Sequence, residues 1–184
     1  MSTAYDTSTE ELIAGLYKVD GKAEIVDGRI VRMSPTGDMP SSAGFEIAVS
    51  LRSYASKNGG RAYGDNAAFL VHLPNRKSFS PDAAYFTGPR TGMKFLRGAP
   101  DFAVEVRSEG DYGPAAERKM AEKRADYFAA VTVVVWDVDL NSDEPIRAYR
   151  ADSPDEPMVF RSGEIANAET AVPGWTFPVD DLFA

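Results

Sequence analysis

APDFAVEVRS (residues 99–108) has the apolar character of a buried strand, yet it carries charged residues within that strand. Side chains two positions apart share a face of a strand. The large apolar residues from Phe102 to Val106 therefore point to one face, whereas Glu105 and Arg107 point to the other. Because an unpaired charge inside a sheet is costly, the charged face must meet a cation, a metal ion or a water-filled cleft. Glu105 is therefore the first candidate for a functional residue.

The composition is that of a globular protein with one core. The chain has 184 residues, of which 43% are hydrophobic and 26% are charged. We therefore expect residues 1–184 to form a single domain. The chain contains no cysteine, which excludes disulfides, zinc–thiolate sites and thiol catalysis. The single histidine, His72, excludes a metal site built from two histidines of one chain, and we expect it to be packed or exposed in a strand.

The formal net charge of −8 bears on the class of partner. A protein that coats nucleic acid needs a basic face, so this charge argues against that class. It is compatible with a nuclease, because a metal site is acidic before it binds its cation. The first residues, MSTAYDTSTEE, lack the basic and apolar regions of a secretory signal, and no apolar run approaches the roughly eighteen residues of a membrane span. We therefore expect a cytoplasmic protein that does not contact a membrane.

Apolar periodicity and turn residues predict a mixture of helices and strands. Helices are predicted over residues 7–19, 42–58 and 111–130. A β-hairpin is predicted over residues 23–33, with Asp27-Gly28 as its turn. Further strands are predicted over residues 61–64, 67–73, 83–87, 99–108, 131–138, 145–150 and 158–161, the last two as edge strands. This order indicates an α/β (α+β) fold, in which a mixed β-sheet is flanked by helices and preceded by an N-terminal helix and β-hairpin.

Two more acidic residues are candidates for the site around Glu105. Asp82 follows Pro81 directly before a predicted strand, which is a common place for an acid at the end of a sheet. Glu24 lies in the first strand of the predicted hairpin.

A lysine completes the candidate site. Met120, Lys123 and Tyr127 share one stripe of the third predicted helix, whereas a solvated lysine usually lies on the face opposite the apolar one. This helix directly follows the Glu105 strand, so its inward face can return to the end of that strand. The candidates are therefore three acids and one lysine.

Carboxylates with a lysine suit the metal-assisted hydrolysis of a phosphodiester bond. Carboxylates give Mg²⁺ hard oxygen ligands, and the ion keeps several waters and contacts the substrate phosphate. A bound metal lowers the pKa of a water ligand and neutralises charge in the transition state. A lysine can orient the attacking water or stabilise the developing negative charge.

Several segments of the chain resemble the Uma-two (Uma2) family, endonucleases of the PD-(D/E)xK superfamily. The resemblance covers nearly the whole chain in order, through AEIVDGRIVRMSP (23–35), SPDAAYF (80–86), APDFAVEVRS (99–108), EKRADY (122–127), VVVWDVD (133–139) and PGWTFPVDDLF (173–183). It implies a restriction-endonuclease-like core and a Mg²⁺-dependent site, with Mn²⁺ as the alternative ion, that cleaves DNA.

The resemblance also implies a role for each candidate residue. Asp82 and Glu105 would be the metal-binding acids, and Glu24 would be an additional acid from the hairpin. The superfamily motif has a lysine two residues after its second acid, where this chain has Arg107. The family instead has its lysine on the following helix, four residues before a tyrosine, which corresponds to Lys123.

The chain departs from the family pattern at two places. The family often has a histidine at the start of the second helix, where this chain has Gly44 in SSAGFEI. The family commonly has glycine and proline between the tyrosine and the tryptophan, where this chain has FAAVTVVV (128–135). Neither departure removes a predicted metal ligand.

Structural roles are the alternatives for these residues. Glu105 could pair with a neighbouring cation, Asp82 could be a turn residue, Glu24 could lie at the surface, and Lys123 could extend its amine to solvent. Lys119, one turn earlier, is then the alternative lysine.

Two other charged residues lie close to the candidates in sequence. Asp101 also follows a proline and competes with Asp82, although a capping or rim position is favoured for it. An ion pair or a phosphate contact is favoured for Arg107 over activation of a water, because arginine stays protonated.

Three functions are compatible with these observations. The first is a Mg²⁺-dependent DNA endonuclease, expected to act as a homodimer. The second is a catalytically silent homo-oligomeric interaction module that retains the nuclease fold. The third is a small-molecule phosphoesterase with similar metal chemistry, which would need a narrow, closed pocket around the acids.

Overall fold

The computed structural model describes residues 7–184. Three α-helices lie within them: α1 (Thr7–Leu16), α2 (Asp38–Asn58) and α3 (Pro114–Ala129). The strands, in chain order, are β1 (Ala23–Val26), β2 (Arg29–Arg32), β3 (Arg61–Tyr63), β4 (Phe69–Leu70), β5 (Ser78–Phe79), β6 (Ala83–Phe86), β7 (Leu96–Arg97), β8 (Phe102–Val106), β9 (Val134–Val138), β10 (Ile146–Arg150), β11 (Ser153–Phe160), β12 (Ile165–Asn167) and β13 (Thr176–Pro178). A 3-10 helix spans Val179–Phe183. None of the helices within residues 7–184 is long and apolar enough to cross a membrane.

Six strands form the main sheet, in the order β11-β10-β9-β8-β6-β3. β8 and β9 are parallel, and the other neighbouring pairs are antiparallel. α3 connects β8 to β9, because parallel neighbours need a crossover connection. The predicted mixed α/β class, with its N-terminal helix and hairpin, is confirmed.

β8, the strand within APDFAVEVRS, has both faces covered. Phe102, Val104 and Val106 belong to the core that contains α2 and the C-terminal segment. Ala103 belongs to a second core, which contains Tyr127 of α3. The predicted alternation is confirmed. A charged side chain on β8 therefore needs a partner at the point where it leaves the sheet.

The hairpin has the turn that its sequence predicts. β1 pairs antiparallel with β2, and Val26 lies opposite Arg29. Asp27 and Gly28 have φ angles of 49° and 69°, which two-residue hairpin turns require and which Asp-Gly favours.

Some predicted boundaries are wrong. α2 begins at Asp38 rather than at residue 42, because a proline is tolerated in the first turn of a helix. The strand predicted over 67–73 is regular only at Phe69–Leu70, and beyond it the backbone bonds to the returning loop. β10 lies between β9 and β11, so its prediction as an edge strand is wrong, whereas β11 is at the edge.

Candidate active site

Asp82 and Glu105 stand opposite one another on neighbouring strands. Ala83 of β6 pairs with Val104 of β8, so Asp82, one residue before β6, faces Glu105. The amide of Asp82 donates to the carbonyl of Val104 at 3.0 Å, and the amide of Val106 donates to Oδ2 of Asp82 at 2.7 Å. Like charges directly opposite each other destabilise a sheet. This pair of carboxylates therefore requires positive charge beside it.

α3 supplies a cation and a hydroxyl to Glu105. Lys123 and Tyr127 lie one helical turn apart and so share a face. Nζ of Lys123 is 2.9 Å from Oε1 of Glu105, and the hydroxyl of Tyr127 donates to the same oxygen at 2.6 Å. Tyr127 is fully buried, and its ring stacks on Phe79 with centroids 3.9 Å apart. Within residues 7–184, Oε2 of Glu105 has no hydrogen-bond partner.

Glu24 contacts Lys123, and both of its carboxylate oxygens have partners. Its Oε1 is 2.9 Å from Nζ of Lys123 and accepts the amide of Ser80 at 2.8 Å. Its Oε2 accepts Nη1 of Arg76 at 2.6 Å, and Nε of Arg76 donates to Asp126 at 2.8 Å. Only 3% of the Glu24 side chain is exposed. Glu24 therefore anchors two buried cations.

The structure thus brings Asp82, Glu105, Glu24 and Lys123 together, and it adds Lys22. Nζ of Lys22 lies 2.7 Å from Oδ1 of Asp82 and 2.6 Å from Asp65. Glu24 and Lys22 alternate with the buried residues of the hairpin, so β1 brings both to the same side.

The two glutamates have opposite pKa shifts. Burial raises the pKa of Glu105, and repulsion from Asp82 and Glu24 raises it further against the attraction of Lys123. Burial also acts to raise the pKa of Glu24, but Lys123 and Arg76 outweigh it and hold the pKa below its ordinary value. Of the two glutamates, Glu105 is therefore the one whose negative charge is less compensated.

Both lysines stay protonated in this cluster. Burial acts to lower the pKa of Lys123, but Glu105 and Glu24 outweigh burial and raise it. The pKa of Lys22 is raised in the same way, against burial, by Asp82 and Glu105. Neither lysine is suited to act as a base, and each supplies a fixed positive charge.

The donor set fits a hard divalent cation such as Mg²⁺. Five carboxylates surround three cationic groups, which leaves two negative charges uncompensated; the groups are Asp65, Asp82, Glu24, Glu105 and Asp126, with Lys22, Lys123 and Arg76. In the part of the chain that the structure describes, no three or more histidine, cysteine or acidic side chains form a closed metal cluster. Mg²⁺ needs no such cluster, since it commonly binds through one or two carboxylates, waters and a substrate phosphate.

Other predicted candidates lie outside this cluster. Asp101 accepts the amide and the hydroxyl of Thr87 at 2.7 and 2.9 Å, which is the capping position favoured for it. Nε of Arg107 donates to Asp137 at 2.8 Å, and Arg107 also pairs with Glu117. Asp137 first, and then Glu117, raise the pKa of Arg107. It is therefore held in an ion pair.

Lys119 and His72 are both exposed. Lys119 thus does not take the position beside Glu105 that Lys123 occupies. Burial, together with repulsion from Lys77 and Arg97, lowers the pKa of His72.

Sequence reasoning missed Lys22 and Arg76. Lys22 stands two residues before Glu24, and this alternation was a usable signal for a shared face. Arg76 lies in PNRKSFSP, which reads only as a loop. Its burial depends on contacts with distant residues, to which no local pattern points.

Gly44 faces the candidate site. A β-carbon added there would lie 3.5 Å from Cβ of Asp82. The helix position at which the family often has a histidine is thus in contact with one of the acids, and this chain presents no side chain there.

Comparisons with known proteins identify nuclease-type relatives. A family model, Uma2, described as "Putative restriction endonuclease", matches residues 10–180. The fold is similar to the crystal structure of "a putative nuclease belonging to DUF820" from Anabaena variabilis ATCC 29413, with a TM-score of 0.71 and 18% identity, over 94% of this chain and 97% of that chain. The restriction-endonuclease-like arrangement is therefore confirmed. No curated protein matches the chain.

Proposed function

Because this chain belongs to the Uma2 family of restriction-endonuclease-type proteins, we propose that it is a Mg²⁺-dependent endonuclease that hydrolyses phosphodiester bonds of DNA. The observation that carries this proposal is the pairing of Asp82 with Glu105 across β6 and β8, with Lys123 bound to Glu105. Nearly the whole chain would serve as one nuclease domain, since the family match extends over residues 10–180.

Asp82 and Glu105 are the residues that would hold the ion, either Mg²⁺ or Mn²⁺. Oε2 of Glu105 is available for this purpose, since the hydrogen bonds to this carboxylate from residues 7–184 go to Oε1. When bound, the ion would supply a water of lowered pKa and positive charge at the scissile phosphate.

Lys123 stabilises negative charge in this scheme. It stays protonated beside Glu105 and Glu24, so it cannot remove a proton from the attacking water. A fixed ammonium group at the edge of the acid pair can stabilise the charge that develops on the phosphate. Glu24 and Tyr127 act through other residues: Glu24 fixes Lys123, and Tyr127 orients the carboxylate of Glu105.

The catalytically silent homo-oligomeric module is the second candidate. It is favoured by the net charge of −8, which opposes DNA, and by Gly44, which leaves its position beside Asp82 without a functional side chain. A homodimer is proposed under either function. The phosphoesterase alternative would need a narrow pocket around the acids; two cavities, of about 420 Å³ beside Phe45 and about 270 Å³ near Leu70, are not lined by the site residues and do not supply it.

The test is cleavage of single-stranded, supercoiled and branched DNA with Mg²⁺ or Mn²⁺. Wild type should cleave at least one substrate, and chelation should abolish cleavage. Glu105→Gln and Lys123→Met should each lose activity by on the order of 100-fold or more, whereas Lys119→Met, the exposed lysine one turn away, should retain it. Thermal unfolding of each variant separates lost chemistry from lost folding. Absence of wild-type cleavage on every substrate, with no Mn²⁺ binding, would favour the silent module.

A further inference from the structure

Lys22 lies where the acid pair would hold a cation. Its Nζ is 2.7 Å from Oδ1 of Asp82, and only 12% of its side chain is exposed. Asp82 uses its other oxygen to accept the amide of Val106. Both oxygens of Asp82 are therefore engaged, Oδ1 by a side chain and Oδ2 by the backbone.

The backbone fixes where this ammonium group begins. Lys22 directly precedes β1, and its carbonyl accepts the amide of Met33 across the hairpin at 3.0 Å. Glu24, two residues later, is directed to the same side and binds Lys123. The start of the hairpin thus places Lys22 beside Asp82 and Glu24 beside Lys123.

Asp65 gives Lys22 a second partner. Oδ1 of Asp65 is 2.6 Å from Nζ, and 52% of the Asp65 side chain is exposed, against 15% for Asp82. Lys22 can therefore release Asp82 and keep its ion pair with the more exposed Asp65. The long, flexible stem of lysine permits this exchange without movement of the backbone.

From this geometry we propose that Lys22 is an internal counter-ion of the acid pair: it neutralises Asp82 when no metal is bound, and a divalent cation must displace it toward Asp65. The inference rests on the proposed function, since it requires Asp82 to be a metal ligand. Lys22 is thus a positioning residue that sets the metal affinity of the site.

The test is calorimetric titration of Mn²⁺ into wild type, Lys22→Met and Lys57→Met. Methionine keeps much of the length of lysine without its charge. Lys57 is exposed at the far end of α2, and its substitution makes the same change in net charge. Lys22→Met should bind Mn²⁺ roughly tenfold or more tightly than wild type, because a competing positive charge has gone. Lys57→Met should bind like wild type.

Asp82→Asn shows whether Lys22 acts through Asp82. Because Asp82 is itself a proposed ligand, this background is compared without metal: there Lys22→Met should lower the melting temperature less than it does in wild type, since the two substitutions address one interaction. Thermal unfolding gives a second readout: without metal, Lys22→Met should melt below wild type, and Mn²⁺ should raise its melting temperature by more than it raises that of wild type.

The outcomes separate this inference from the proposed function. If wild type binds Mn²⁺ and Lys22→Met binds it equally or more weakly, Lys22 is no competitor, although the metal site stands. An equal loss of melting temperature from Lys22→Met with and without Asp82 also overturns the inference. If no variant binds Mn²⁺, both the inference and the metal site fail.

Discussion

Glu24 and Glu105 are two glutamates in one cluster with opposite electrostatic roles. Glu24 is bound by Lys123, Arg76 and the amide of Ser80, so its ionised form is stabilised in the folded protein. Glu105 shares Lys123 and faces the carboxylate of Asp82, so its ionised form is disfavoured. One glutamate therefore supports the fold, whereas the other stores unfavourable charge at the position where a metal ion would relieve it.

This difference predicts opposite effects on stability. Glu24→Gln should lower the free energy of unfolding at pH 7 by about 3 kcal/mol, because it leaves buried cations uncompensated. Glu105→Gln should leave the free energy of unfolding of the metal-free protein unchanged or higher, since glutamine keeps an acceptor for Tyr127 and removes the repelling charge. Denaturant unfolding at pH 7 measures both, and a large loss for Glu105→Gln would contradict this account.

The pH dependence follows from the directions of the two pKa shifts. The folded pKa of Glu24 is lowered, so Glu24 contributes stability above its unfolded pKa, and that stability is lost as the pH falls through the folded pKa. The folded pKa of Glu105 is raised, so its destabilising effect is present above the folded pKa and disappears as the pH falls below the unfolded pKa. The stability difference between each variant and wild type should therefore shrink in acid.

The sequence pattern points to Glu105 because a charged residue is unusual within an apolar strand. Glu105 was identified by alternation within an apolar strand, and Lys123 by its place in an apolar helical stripe. Lys22 was missed because an isolated lysine before a strand resembles any surface lysine. Its role depends on Asp82, sixty positions away along the chain, and the sequence gives no measure of that distance in space.

At the scale of elements, the end of α3 controls the position of Tyr127. The amide of Thr132 donates to the carbonyl of Tyr127, and the amide of Val131 donates to that of Phe128, which together form a Schellman motif. Val131 takes the left-handed position of this motif, with φ of 71°, and is 81% exposed. Glycine usually occupies this position, because a β-carbon is strained there.

Val131→Gly should therefore stabilise the protein. Relief of the left-handed strain should raise the free energy of unfolding by about 1 kcal/mol, and little packing is lost at so exposed a side chain. Val131→Ala is the matched control, since it retains the β-carbon and should recover much less. Equal effects of the two substitutions in chemical denaturation would show that strain at the β-carbon is not the cause.

Under the proposed function, the two arginines of β2 offer a test of which hairpin face would contact DNA. Arg29 pairs with Val26 and so shares the face of Glu24, whereas Arg32 pairs with Ala23 on the other face. Both arginines are exposed.

Arg29→Gln should weaken binding to duplex DNA and reduce the slope of log affinity against log salt by about one. Arg32→Gln should change the affinity for DNA and its salt dependence much less. Fluorescence anisotropy on the Glu105→Gln background measures the affinity without cleavage. Equal losses for the two variants would indicate that neither hairpin face is preferred.

Strands that depend on pairing with distant residues are harder to predict than turns and helices whose own residues indicate them. The Asp27-Gly28 turn and the α3 stripe are local, and their predictions are confirmed. β5 and β7 are two residues long and flank β4 in a three-stranded sheet. Segments this short carry no periodicity, so their existence depends on the neighbour that they meet in space.

At the scale of the molecule, part of the acidic excess lies in the cluster around Asp82 and Glu105. The chain carries 28 acidic and 20 basic residues, and the cluster around Asp82 and Glu105 retains two negative charges after its internal ion pairs. Under the proposed function, a divalent ion held by Asp82 and Glu105 would offset this excess and connect the residue before β6 to β8. Ligand binding to the folded state alone stabilises it, by about 2.7 kcal/mol at a hundredfold excess over Kd. Under the proposed function, metal binding at this site would therefore stabilise the whole fold.

Mn²⁺ binding to wild type and to Glu105→Gln decides whether Glu105 belongs to a metal site, and this measurement does not depend on the choice of DNA substrate. We predict that wild type binds Mn²⁺ and is stabilised by it, and that Glu105→Gln, although folded, loses both the calorimetric signal and the rise in melting temperature. Equal Mn²⁺ binding by the two proteins would place the ion elsewhere, and no binding by wild type would contradict the metal-dependent site itself.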